Sequence, residues 1–192
     1  MVVIMDEKGI IDTMNESIVG NTSLLTKSFQ DHDEAMAYFG DNYSLLDTGN
    51  ESYVYSDGSK VWKIVFPGIT ANLPFYEFCQ HNSNPHLPTV YLAKKYNDFL
   101  IIEMALLEEL DYDLATVISD YCSAVFYKED VSAIDISSLP DNYKAQLNEL
   151  CQWFDKISKM TPGTLDFNPS NIMLRGDSLV LNDPIRAIDH QE

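Results

Sequence analysis

Basic residues are scarce in this chain: 12 Lys and Arg stand against 30 Asp and Glu among 192 residues, a net charge of -18. That balance excludes binding that neutralises a nucleic-acid backbone and attraction to an anionic membrane, both of which need clustered cations. A run of eighteen apolar residues is also lacking, and the opening MVVIMDEKG turns acidic too early for a signal-peptide core, so a cytoplasmic protein is expected. Cysteine is limited to Cys79, Cys122 and Cys151, widely spaced and without CxxC or Cys/His ligand spacing, which excludes a disulfide framework and a zinc site and leaves buried free thiols. His32, His81, His86 and His190 share no spacing with a nucleophile. There is no internal repeat, low-complexity tract or Gly/Ser-rich linker. The acids are spread along the chain, which reads as a solvated surface; the sharper alternative is an acidic decoy that docks on a basic partner.

What is present suits one medium domain or two small lobes, with 45% hydrophobic residues to supply a core. Residues 1 to 30 show no clean period, although VVIM and GIID can pair across DEKG. Asp31 to Phe39 carries acids in its first turn and is followed by Gly40, the pattern of a short capped helix. From Tyr43 the texture is that of strands: YSLLDTG, SYVYS, the turn DGS and KVWKIVF form an antiparallel meander ended by Pro67 and Gly68. Asn72 to Gln80 predicts a short helix with Asn72 at its cap, and HLPTVYLAKKYNDFLIIEMAL predicts two more strands around Asn97. YDLATVISDYCSAVF and YKAQLNELCQWFDKISKM then show helical periods, joined by the polar KEDVSAIDISSLPDN.

The chemistry concentrates in LDFNPSNIMLRGDSLVLNDP, residues 165 to 184. Asp166 and Asn171 lie in a loop, and two short strands about RGDS bring Asn171 and Asp183 to the same end of a hairpin. There their oxygens can hold a hard cation, and Asp166 can orient or deprotonate a hydroxyl nucleophile. Asn and Asp also favour such positions for local hydrogen bonding, so a polar hairpin stays open as the alternative.

The stretch resembles the protein-kinase catalytic loop D-x-x-x-x-N followed by a metal-binding Asp after a short hairpin. That resemblance implies Asp166 as the catalytic base and Asn171 and Asp183 as magnesium ligands. Upstream, Lys63 in KVWKIVF matches the strand lysine that binds nucleotide phosphates, and Glu77 in the short helix matches its ion-pair partner. DTGNESYV is similar to a degraded glycine-rich loop in which Gly49 and Val54 are kept and Ser52 replaces a glycine; Glu103 and Met104 fall where hinge backbone reads adenine. GNESYVYSDGSKVWKIVF, FYEFCQ, LPTVY and LDFNPSNIMLRGDSLVLNDPI together look like the early serine/threonine protein kinases of short-tailed, T-seven-type phages, over roughly residues 43 to 185.

The resemblance implies an α+β, minimal two-lobe protein-kinase-like fold: an N-terminal extension over 1–42, a lobe with a five-stranded antiparallel sheet over 43–106, and a truncated helical lobe over 107–192. It also implies ATP and Mg2+ as cofactors and host proteins of the transcription or RNA-processing machinery as substrates, in the host cytoplasm. Departures bear on activity. Thr164 and Leu165 replace the usual His and Arg, Pro184-Ile185 replaces Phe-Gly, and Asn168 stands where a Lys or His approaches the transferred phosphate. Each roughly 1.4 kcal/mol of stabilisation lost there slows transfer tenfold. With the sequence read to Glu192, the long activation segment of ordinary kinases is expected to be missing. The rival from another class is an inactive kinase-like module whose acidic surface inhibits a basic host protein; a small-molecule phosphotransferase shares the D-x-N-x-x-N form but needs more substrate-binding helices.

Overall fold

The computed structural model describes residues 27–161 and 163–186. The expected pairing of VVIM with GIID, and His190, lie outside the described residues. From Asp31 onward the chain forms one compact unit, with an α+β architecture built on a five-stranded antiparallel sheet.

Helix α1 runs over His32–Asn42. Asp31 caps it, its carboxylate accepting from the Glu34 N–H at 2.9 Å, so one of the unpaired N–H groups of the first turn is satisfied. The expected stop at Gly40 is not used: the helix continues one turn, because Gly40 keeps helical geometry and the Tyr43 N–H closes on the Phe39 carbonyl. Strands β1 (Ser44–Thr48), β2 (Ser52–Ser56) and β3 (Lys60–Val65) form the predicted meander, followed by α2 (Leu73–His81), β4 (Val90–Tyr96) and β5 (Phe99–Ala105). In space the order is β1-β2-β3-β5-β4, so β5 inserts beside β3 and leaves β1 and β4 at the edges. The tight turn between β4 and β5 uses Asn97 at φ 48, a left-handed conformation that Asn tolerates.

Period-two alternation along β3 decides what each face of the sheet meets. Trp62 and Ile64 point to α1, where Phe39 is fully buried and its ring stacks with Tyr55 at 6.0 Å. Part of the segment expected as an extension, Asp31 to Asn42, is therefore packed onto the sheet. Val61, Lys63 and Val65 point the other way, into a core shared with Phe75, Tyr76 and Cys79 of α2 and Leu100, Ile102 and Met104 of β5.

That core continues into the second half of the chain. Here β6 (Glu108–Glu109), α3 (Tyr112–Tyr127), α4 (Asp141–Ile157), β7 (Thr164–Leu165), β8 (Ile172–Arg175), β9 (Ser178–Leu181) and β10 (Ile185–Arg186) follow in order. Ile118 and Cys122 of α3 meet Leu147, Leu150 and Phe154 of α4, all at three- and four-residue steps. Hairpin β8–β9 turns at Gly176, whose φ of 58 favours glycine. Arg175 fastens this hairpin to the loop before β4: its guanidinium donates to the carbonyls of Asn84, Pro85 and Leu87 at 2.8 to 3.2 Å. No helix among the described residues is long and apolar enough to cross a membrane.

Candidate active site

Lys63 is the one charged residue on the core-facing side of β3, and its exposure is only 8%. An ammonium so placed needs a counter-charge, because desolvation without a partner costs several kcal/mol. Asp183 supplies it: Oδ2 of Asp183 pairs with the Lys63 Nζ. The second carboxylate oxygen, Oδ1, accepts from the Asn72 amide at 2.9 Å and from the Tyr76 hydroxyl at 3.1 Å. Burial, and next the carboxylate of Asp183, push the Tyr76 phenol well above its ordinary range, so it keeps its proton and acts as a donor.

Two residues of this centre, Asn72 and Tyr76, were not singled out as functional by their sequence. Asn72 reads as a helix cap, yet its side chain makes no capping bond and is spent on Asp183. Tyr76 reads as core aromatic, and it is fully buried as expected. Its hydroxyl is what distinguishes it. The signal in reach was that a hydroxyl and an amide on the inner side of a buried helix both require partners.

Glu77, expected to pair with Lys63, is exposed on α2. The expected ion pair is replaced by Lys63 with Asp183. The physical reason is the phase of the helix: Phe75, Tyr76 and Cys79 are its buried face, which turns the next residue, Glu77, outward.

The loop after β7 carries Asp166. Strand β7 pairs with β10 in the register Leu165 to Ile185, which brings Asp166 beside the segment that follows Asp183; the Asp166 N–H donates to the Pro184 carbonyl at 2.9 Å. Oδ2 of Asp166 accepts from the Asn171 amide at 3.1 Å, and the Asn182 N–H donates to the Asn171 carbonyl at 2.8 Å. The structure thus brings Asp166, Asn171, Asp183 and Lys63 into one connected network. Phe167 anchors the loop from behind, its ring 4.5 Å from that of Phe154 and its carbonyl accepting from the Ser119 hydroxyl.

Asn168, which stands where the resemblance implies a Lys or His, caps a local turn. Its Oδ1 accepts from the N–H and hydroxyl of Ser170 at 3.1 and 3.0 Å, capping the short 3-10 turn Pro169–Asn171. In the β1–β2 hairpin the Gly49 N–H is spent on the Ser52 carbonyl at 2.9 Å. Ser52 is buried in β2 opposite Val65, and Val54 lies opposite Lys63. Glu103 and Met104 are not at a free hinge: both sit inside β5, paired on one side to Trp62 and Val61 and on the other to Leu92 and Val90. Glu103 is buried and pairs with Lys60 at 2.8 Å. The apolar run simply extends the strand as far as Ala105, so the linker begins at Leu106.

Among the described residues no group of three His, Cys, Asp or Glu side chains is arranged to hold a metal. A hard cation here would be completed by amide, phosphate and water oxygens. The donor set fits that: the buried amide oxygens of Asn72 and Asn182 have no hydrogen-bond donor, and both residues adjoin Asp183. Asn171 has its NH2 on Asp166, which leaves its amide oxygen as the remaining acceptor.

No protein-family model matches this chain, and no curated protein matches it. Among solved structures, two crystal structures of double mutants of the PknI kinase domain from Mycobacterium tuberculosis are similar to it. They match over 76% and 73% of this chain and 61% and 59% of theirs, at 14% and 15% identity, each with a TM-score of 0.43. The chain spans about three fifths of the length of those structures.

Proposed function

We propose that this chain is an ATP-dependent protein serine/threonine kinase of minimal, kinase-like build, of the kind that T-seven-type phages direct at host proteins. The observation that carries the reading is the buried Lys63 on β3 paired with Asp183, tied through β7–β10 and Asn171 to Asp166. A polar hairpin with no function has no need of a buried ammonium delivered from a distant strand.

In this reading Lys63 swings from Asp183 to the phosphates of ATP, to which it offers three donors. Asp183 and Asn171 hold Mg2+, with Asn72 and Asn182 as neighbouring oxygen donors. Magnesium, when bound, supplies charge neutralisation for the phosphoryl group in flight. Asp166, held by Asn171 and the Asn168 N–H, orients the acceptor hydroxyl and takes its proton. Asn72 and Tyr76 position the Asp183 carboxylate. Host proteins of the transcription or RNA-processing machinery are the proposed acceptors.

One observation favours a second reading, an inactive acidic module that binds a basic host protein. The Gly49 N–H is consumed within its own turn, which removes one of the donors expected around a phosphate, and Asn168 offers no cation there. Asp166→Ala separates the two: loss of host-protein labelling together with loss of the biological effect supports the kinase, and an effect that survives the substitution supports the binding module.

A further inference from the structure

We propose that Cys122 and Cys151 form a two-electron redox site, closed to an intramolecular disulfide by a hydroperoxide. Cys122 lies on α3 and Cys151 on α4, and their sulfurs stand 3.3 Å apart across the seam between the helices. Both thiols are free. Bond formation closes the gap to about 2 Å, a movement that two adjoining side chains can share.

The two cysteines are unequal in a way that assigns their roles. Cys122 is fully buried, whereas Cys151 is only partly covered and reachable by a small oxidant. Their mutual hydrogen bond, and then burial, push the Cys122 thiol well above its ordinary range, while the same bond holds Cys151 below its own. Cys151, the more accessible sulfur and the one whose proton is held less tightly, is therefore the one that attacks first, as its thiolate form. Its sulfur displaces hydroxide from hydrogen peroxide: an S–O bond forms, the O–O bond breaks, and the hydroxide leaves as water after taking a proton. The resulting sulfenic acid is then attacked by the sulfur of Cys122; the S–S bond forms, the S–O bond breaks, and the Cys122 proton departs with the hydroxide as a second water. Two thiols and one peroxide thus give one disulfide and two waters.

The pair sits directly behind the loop that carries Asp166. Ser119, whose hydroxyl holds the Phe167 carbonyl, is one turn before Cys122 on α3. Phe154, whose ring packs on Phe167, is one turn after Cys151 on α4. The crosslink would join the two helices at the support of that loop. Cys79 serves as an internal contrast, since burial pushes its thiol up to about 12.

The test is peptide mapping by mass spectrometry after exposing the folded full chain to hydrogen peroxide, blocking remaining thiols and digesting without reductant. The expected result is a Cys122–Cys151 linked peptide, reversed by dithiothreitol, with Cys79 still reduced. In Cys122→Ala the reaction should stop at a Cys151 sulfenic acid trapped by dimedone, and in Cys151→Ser Cys122 should stay reduced. Circular dichroism establishes that each variant is folded; if Cys122→Ala is not, the wild-type map decides alone. Oxidation of Cys79 at the same rate, links only between separate molecules, or Cys151 oxidised without linkage to Cys122 would overturn the proposal.

Discussion

Removing either half of the Lys63–Asp183 pair should destabilise the fold, but very unequally. In Lys63→Met the carboxylate of Asp183 keeps its donors from Asn72 and Tyr76, and its side chain retains 22% exposure. The loss is one charge-assisted hydrogen bond, about 1.5 to 3 kcal/mol. In Asp183→Ala the Lys63 ammonium, on a side chain only 10% exposed, loses its counter-charge, at about 3 to 5 kcal/mol. The Asn72 amide and Tyr76 hydroxyl are orphaned with it, adding about 1 to 3 kcal/mol each. Asp183→Ala should therefore cost at least about 2 kcal/mol more than Lys63→Met, which for a chain of this size is roughly 4 to 8 °C in Tm. Adding Lys63→Met to Asp183→Ala removes the stranded ammonium, so the double variant should be more stable than Asp183→Ala alone. Urea denaturation of the four proteins at one pH closes the double-mutant cycle. Equal costs for the two single variants, or a double variant weaker than Asp183→Ala, would refute the assignment of Lys63 as a buried cation dependent on Asp183.

Tyr76→Phe removes the hydroxyl at constant ring volume and should lower kcat of the proposed transfer while leaving the KM for ATP nearly unchanged; steady-state kinetics on a protein acceptor would show it, and a change confined to KM would speak against a positioning role. Gly163→Ala should cost about 1 to 3 kcal/mol by overpacking, because a Cβ there would stand 2.5 Å from Ile185 Cγ2 and 2.9 Å from the Arg186 carbonyl oxygen; thermal melts against wild type check this. The Cys79 thiol, raised from 9.0 to about 12 by burial, binds its proton more tightly folded than unfolded. Its contribution is intact below about pH 9 and is lost as pH rises from there toward 12, at about 1.4 kcal/mol per unit. Denaturation midpoints should fall over that alkaline range, and fall less steeply in Cys79→Ala.

Elements with a strong local signature were legible in the sequence. The strands between turn formers and the two long helices fall close to where their periods place them, and the hairpin about RGDS forms with Asn171 bonded to Asn182, the residue before Asp183. The burial of Lys63 follows from its phase with Val61 and Val65 on the core-facing side of β3. What could not be read was the partner. Pairing of Lys63 with Asp183 depends on β7 meeting β10 and on the rotation of α2, both set by tertiary packing, and the same rotation turns Glu77 outward. Strand length misled at Glu103 and Met104, since nothing in FLIIEMA marks where a strand buried between two neighbours stops. The closeness of Cys122 and Cys151 follows from helix docking, to which their spacing of 29 residues gives no clue.

The central claim, that this network transfers phosphate, is tested most directly by incubating the folded protein with radiolabelled ATP, Mg2+ and a host-protein mixture, beside Asp166→Ala and Asp183→Asn. Magnesium-dependent labelling of Ser or Thr is expected in the wild type and its loss in both variants, with Asp166→Ala still binding ATP. A folded wild type that neither binds ATP nor labels any protein, or labelling that persists in Asp166→Ala, would contradict it.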